Sequence, residues 1–119
     1  MNKKALMENF VVIALLTKNG DSFATVFGEA FKQAGIETSF IYPHTGNTVE
    51  ALAKIRPHQP ELIVVDTASL GDMSDFLTEI KKEFSGTIWS HSGHPLNMGA
   101  IHIANEKVLQ EEIVKLKLN

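Results

Sequence analysis

An aspartate at the end of a predicted strand is the clearest candidate for chemistry in this sequence. Asp66 directly follows the apolar residues 62–65, and Thr17 and Lys18 follow a longer apolar run at residues 10–16. A carboxylate at the end of a strand can accept hydrogen bonds from turn amides, form an ion pair with a lysine such as Lys18 or bind a cation. These side chains can meet only if both strands end at the same edge of one sheet.

Histidines form a second group of candidate ligands. His91 and His94 flank a Ser-Gly pair, and His102 follows close behind. Imidazole nitrogens are ligands for zinc and nickel. However, the first two histidines straddle the end of a predicted strand and no carboxylate is fixed beside them. We therefore predict no metal site and interpret these histidines as surface or half-buried residues.

The elements that position these residues alternate along the chain. Apolar runs rich in branched residues predict strands at 10–16, 37–42, 62–65, 87–92 and 100–104. Between them apolar residues recur at helical spacing, as at Phe23, Phe27 and Phe31 in a helix that Gly35 ends. This alternation predicts a parallel sheet covered by helices on both faces. In such sheets reactive groups gather at the carboxyl ends of the strands, where Asp66 lies.

Composition limits the classes of function. A chain of 119 residues with 44% hydrophobic residues and no linker predicts one domain, residues 1–119. The absence of cysteine excludes disulfides and a cysteine nucleophile. A net charge of −3 disfavours nucleic-acid binding, and no apolar run approaches the roughly 20 residues of a membrane-spanning helix. We expect a cytoplasmic protein.

Residues 47–66 carry a resemblance to a known family. Their sequence is Asn-Thr-Val-Glu-Ala-Leu-Ala-Lys-Ile-Arg-Pro-His-Gln-Pro-Glu-Leu-Ile-Val-Val-Asp. It is similar to the receiver domains of bacterial two-component response regulators, in which a Gly-x-x-Ala-Leu helix and Pro-Asp-Leu precede a strand that ends in the phospho-accepting aspartate. The resemblance spans nearly the whole chain. It implies a flavodoxin-like, doubly wound, five-stranded parallel sheet of order 2-1-3-4-5, with the fourth helix shortened or lost.

The resemblance also implies site residues. Asp66 stands at the phospho-acceptor position, and Ser92, or with less support Ser90, stands where receivers have their switch hydroxyl. Receivers hold Mg²⁺ with two acidic residues after the first strand, whereas this chain has Thr17 and Lys18 there. Asp21 could partly replace the missing acids, and Lys18 could stand in for the charge of the metal.

The position of the receiver lysine after the fifth strand is also altered. Ala104, Asn105 or Glu106 stands there, and Lys107 is expected to lie within the last helix. We therefore expect a stand-alone degenerate receiver, or pseudo-receiver, that has no enzymatic activity and no cofactor and regulates a signalling protein by binding it. An irregular loop would provide specificity and consists of His94, Pro95, Leu96, Asn97 and Met98. A homodimer is a further possibility.

Two alternatives remain open at this point. In the first, the chain is an active receiver that a histidine kinase phosphorylates at Asp66, with weakly bound Mg²⁺. In the second, it is a small flavodoxin-like protein that binds a nucleotide or flavin. The sequence His44-Thr-Gly-Asn-Thr48 is similar to the phosphate loop of flavodoxins, although it follows the second strand rather than the first.

Overall fold

The computed structural model describes residues 10–18, 20–42, 48–67, 74–84, 86–91 and 100–118. Strands and helices alternate in the order that the apolar pattern predicts. In chain order the elements are β1 (Phe10–Leu16), α1 (Gly20–Gln33), β2 (Glu37–Ile41), α2 (Thr48–Ile55), β3 (Leu62–Asp66), α3 (Ser74–Ile80), β4 (Thr87–His91), β5 (Ile101–Ile103) and α4 (Glu106–Leu118).

The five strands form one parallel sheet of order β2-β1-β3-β4-β5. This confirms the predicted flavodoxin-like topology. Leu16 of β1 pairs with Val65 of β3, and Asp66 pairs with His91 of β4. The carboxyl ends of the three central strands therefore lie side by side, as the prediction for Asp66 required.

Two hydrophobic cores cover the two faces of the sheet. On the first face, α1 and α4 pack their apolar stripes against Leu15, Val64 and Trp89. On the second, α2 and α3 pack against Ala14, Val65 and Ile88. Because side chains alternate along a strand, every central strand supplies both cores, and β1 and β3 are apolar at nearly every position. Three of the largest fully buried side chains belong to the first face: Trp89, Phe27 and Phe31.

Specific turn and cap residues fix the two helices of the first face. Gly35 has φ of 81°, a left-handed conformation that glycine adopts without strain, and the amide of Ile36 beside it donates to the carbonyl of Phe31 at 2.9 Å. Asn105 caps α4, since its side-chain oxygen accepts from the amide of Val108 at 3.0 Å. These residues set where α1 ends and where α4 begins.

The connection between β4 and β5 bears on the helix predicted to be shortened or lost. It spans residues 92–100, of which 92–99 lie outside the described residues. The segment is shorter than the roughly 10–12 residues of an ordinary helical crossover. The predicted shortening or loss of the fourth helix therefore rests on the length of this segment in the sequence.

The helices of the described residues are too short or too polar to cross a membrane.

Candidate functional site

A buried hydrogen bond links the ends of β1 and β3. The hydroxyl of Thr17 donates to Oδ2 of Asp66 at 2.7 Å. Thr17 is 4% exposed and Asp66 is 2% exposed, so little water competes for this bond. A hydrogen bond to a charged acceptor is stronger than one between neutral groups. Thr17 thus binds the carboxylate from the position where the receiver resemblance implies acidic residues.

His91 lies on the other side of Asp66. The two residues pair in register across β3 and β4, so their side chains are on the same face of the sheet. The imidazole is half-buried and packs edge-on against the rings of Phe23 and Phe27 of α1, with ring centroids 5.1 Å apart in each case. Thr17, Asp66 and His91 therefore form a row along the carboxyl edge of the sheet.

The surroundings of His91 oppose its protonation. Burial lowers the pKa of this imidazole below its ordinary value, the carboxylate of Asp66 acts in the opposite direction, and His102 lowers the pKa further. The neutral ring packs against phenylalanine without the desolvation cost of a cation. The row therefore places a carboxylate between a neutral hydroxyl and an imidazole that favours its neutral form.

Ser90 is not part of this row, because successive side chains of a strand lie on opposite faces of the sheet. Its side chain lies on the face of the sheet opposite to that of His91. The Ser90 hydroxyl is fully buried and lies 2.8 Å from Nδ1 of His102 on the neighbouring strand. Ser90 thus has a structural partner of its own. Thr67, which follows Asp66, is also buried, and its hydroxyl donates to the carbonyl of His91 at 3.4 Å.

The remaining predicted residues are placed less completely. Lys18 is exposed and follows Thr17 directly, while Lys107 is exposed within α4, as expected. Asp21 is in α1, but its side chain lies outside the described residues. The same holds for the whole of Ser92 and for the predicted interaction loop at residues 94–98.

Sequence reasoning missed His91 as the neighbour of Asp66. It was considered only as a ligand together with His94 and His102. The residue that faces Asp66 depends on the register between β3 and β4, and a shift of one position would have placed Ser90 or Ser92 there. One signal was available in the sequence. Asp66 is the fifth residue of the strand that begins at Leu62, and His91 is the fifth residue of the strand that begins at Thr87, so two strands that start level with each other bring these residues together.

The chemistry available to the described residues of this edge is limited. They contain no group of three or more histidine, aspartate or glutamate side chains that could hold a metal ion. The row can bind a proton at His91 or Asp66 and can exchange hydrogen bonds. Two residues along β4 from His91, Trp89 is fully buried, stacks on Phe31 and can report changes at this edge.

Comparison with known proteins agrees with this fold. No protein-family model and no curated protein matches the sequence. Among solved structures, the chemotaxis response regulator CheY4 of Vibrio cholerae is 15% identical with a TM-score of 0.60, over 90% of this chain and 98% of that one. The signal receiver domain of NarL from Mycobacterium tuberculosis is 14% identical with a TM-score of 0.62, over 93% and 98%.

A pseudo-receiver domain is similar to the same extent. The pseudo-receiver domain of the CikA protein is 18% identical to this chain with a TM-score of 0.58, and the match covers 89% of this chain and 96% of that one. Together with the strand order β2-β1-β3-β4-β5, these similarities show that the chain has the fold of response-regulator receiver domains.

Proposed function

We propose that this chain is a degenerate receiver, a signalling module that acts through a protein interface and does not use Asp66 as a phospho-acceptor. The observation that supports this most directly is the buried hydrogen bond of 2.7 Å from Thr17 to Asp66. A neutral hydroxyl stands where the resemblance implies an acidic residue, and it gives the carboxylate a hydrogen-bond donor instead of a second negative charge.

The requirements of phosphoryl transfer explain why this substitution matters. A carboxylate that attacks a phosphoryl group needs Mg²⁺ to neutralise the charge on the phosphoryl oxygens. Mg²⁺ requires near-octahedral oxygen ligands and is usually bound through carboxylates. Thr17 supplies no negative charge, and Lys18 adds a positive one beside it. Both changes weaken the affinity of this edge for a divalent cation.

The low exposure of Asp66 is a second obstacle to phosphorylation. At 2% exposure, with one oxygen already bound to Thr17, the carboxylate must be uncovered before it can attack. The bond to Thr17 would have to break at the same time, and breaking a buried hydrogen bond to a charged group is costly. In our proposal this bond keeps the domain in one conformation, which a protein partner recognises without phosphorylation.

The main alternative is an active phospho-acceptor, and one observation favours it. Asp66 ends the central strand of a receiver fold, the position at which receivers carry their phospho-accepting aspartate. The two functions differ in whether Mg²⁺ and a phosphoryl analogue bind at Asp66.

A titration with Mg²⁺ and beryllofluoride distinguishes them. We expect no saturable change in the amide shifts around Asp66 or in Trp89 fluorescence, because the acidic ligands are missing. A saturable change in the wild type that disappears in Asp66→Asn would contradict the proposal.

Restoring the acids makes the test sharper. In the double variant Thr17→Asp/Lys18→Asp, three carboxylates would lie at the ends of β1 and β3. We expect this variant to be less stable than the wild type without metal, because like charges lie close together, and to gain stability when Mg²⁺ is added. The matched control, Thr17→Asn/Lys18→Gln, changes the same positions without adding acids and should not respond to Mg²⁺.

The surface that binds the partner remains a prediction from sequence. It consists of residues 94–98 and lies outside the described residues. If it forms the interface, the triple substitution Pro95→Ser/Leu96→Ser/Met98→Ser should abolish binding to the partner or dissociate a homodimer, whereas Asp66→Asn should leave both intact. Sedimentation velocity tests the homodimer directly. Loss of association in Asp66→Asn alone would argue for control by phosphorylation.

A further inference from the structure

A cleft between α1 and the start of α4 opens next to the carboxyl edge of the sheet. Its volume is about 490 Å³, within the range of roughly 300–1,000 Å³ typical of ligand sites. Val26, Glu29 and Ala30 of α1 line one wall, Glu106 and Leu109 of α4 line the other, and the imidazole of His91 also lines it. The carboxyl edge is where doubly wound sheets bind their ligands.

The walls combine an apolar surface with two carboxylates. Val26, Ala30 and Leu109 supply short aliphatic side chains, and Val26 is 54% exposed although it is apolar. Glu29 and Glu106 come from opposite helices and are both exposed. Among the described residues neither glutamate forms an ion pair, and no lysine or arginine lines the cleft.

The charges of the lining determine which sign of charge a ligand of this cleft can carry. Glu29 and Glu106 give the described lining two negative charges, while His91 favours its neutral form because burial lowers the pKa of its ring. An anion would meet repulsion from both helices. A cationic head on a short aliphatic chain matches both the charge and the apolar wall.

The geometry points to an alkylammonium site in this cleft: a primary amine on a chain of a few carbons, with the ammonium group between Glu29 and Glu106 and the chain along Val26, Ala30 and Leu109. Such a group occurs as the side chain of a lysine on a partner protein and in free diamines. The site is independent of whether Asp66 accepts a phosphoryl group, so its test and the beryllofluoride titration can fail separately.

The test is an NMR titration of the full chain with 1,5-diaminopentane at low salt. We expect saturable amide shifts confined to the two walls of the cleft, with a dissociation constant on the order of 1 mM because both carboxylates are exposed. The double variant Glu29→Gln/Glu106→Gln should weaken binding about fivefold to tenfold. The matched control, Glu37→Gln/Glu111→Gln, removes two exposed carboxylates outside the described lining and should bind as the wild type does.

Two peptides identify the source of the amine. One contains a single lysine flanked by glycine and serine, and the other has norleucine in place of that lysine. Binding of the lysine peptide without binding of the diamine would identify a partner protein, and the reverse would identify a free amine. Equal binding of the norleucine peptide, shifts that do not saturate, or shifts that are the same in both double variants would overturn the proposal.

Discussion

Two polar contacts of nearly equal length lie at opposite ends of the sheet. At the carboxyl edge, the Thr17 hydroxyl donates to Asp66 at 2.7 Å, and both residues are buried. At the amino edge, Arg56 follows α2 and donates to Glu83 at 2.8 Å, with side chains 56% and 42% exposed. The comparison shows that distance alone does not determine how much a contact contributes to stability, because burial decides how much water competes with that contact.

Removing the buried hydroxyl should have the largest effect. Thr17→Val keeps the shape of the side chain but leaves Oδ2 of Asp66 without its buried donor. We expect the free energy of unfolding to fall by about 2–3 kcal/mol, because a buried charged acceptor then lacks a hydrogen bond. Urea unfolding followed by Trp89 fluorescence measures this.

Thr17→Ser retains the hydroxyl and should lose only about 1 kcal/mol for the missing methyl group. Equal stability of the valine and serine variants would show that the bond contributes little.

At the amino edge, we expect stability to depend more on packing than on polar contacts. A Cβ atom on Gly86 would collide with the ring of Phe84 and approach the carbonyl oxygen of Glu61 to 2.8 Å. That carbonyl accepts from the amide of Thr87 and cannot move freely. We expect Gly86→Ala to cost about 2 kcal/mol through overpacking, measured by the same unfolding assay.

Gly28 is the matched control for Gly86. A Cβ there would meet Phe40 at 3.5 Å, an ordinary van der Waals contact, inside helix α1. Because alanine favours a helix interior over glycine, Gly28→Ala should increase stability by about 0.5–1 kcal/mol. If both substitutions changed stability in the same direction, the steric explanation for Gly86 would be wrong.

The sequence predicted the fold more completely than the site, and the reason is physical. Continuous apolar runs such as residues 62–65 allow few interpretations other than a strand buried on both faces. The neighbour of Asp66 depends instead on strand register, which is set by packing across the sheet and not by the type of any single residue. His91 was therefore missed. The donor from Thr17 was missed as well, because the resemblance directed attention to the acids that are absent there.

The pH dependence of stability should report the environment of His91. Its pKa is lowered in the folded protein, so the unfolded chain binds the proton more readily. Stability should be full above about pH 6.5, the ordinary pKa of histidine, and should fall as the pH drops from there toward the lowered pKa of the folded state. Thermal unfolding between pH 7.5 and 5.5 measures this. His91→Gln should flatten the curve in that window. An unchanged curve in His91→Gln would assign the dependence to other groups.

The exposed ion pair of the amino edge should give the smallest effect and completes the comparison. Arg56→Gln and Glu83→Gln each remove one partner of a contact that water already surrounds. We expect each to lower the free energy of unfolding by less than about 1 kcal/mol, and the difference to shrink further in 1 M salt, where the Debye length is about 3 Å. The double variant Arg56→Gln/Glu83→Gln isolates the pairwise energy. If the pairwise energy of Arg56 and Glu83 were as large as the fall in the free energy of unfolding in Thr17→Val, burial would not explain the difference between the two contacts. The buried bond could then not be said to hold Asp66 more firmly than an exposed contact would.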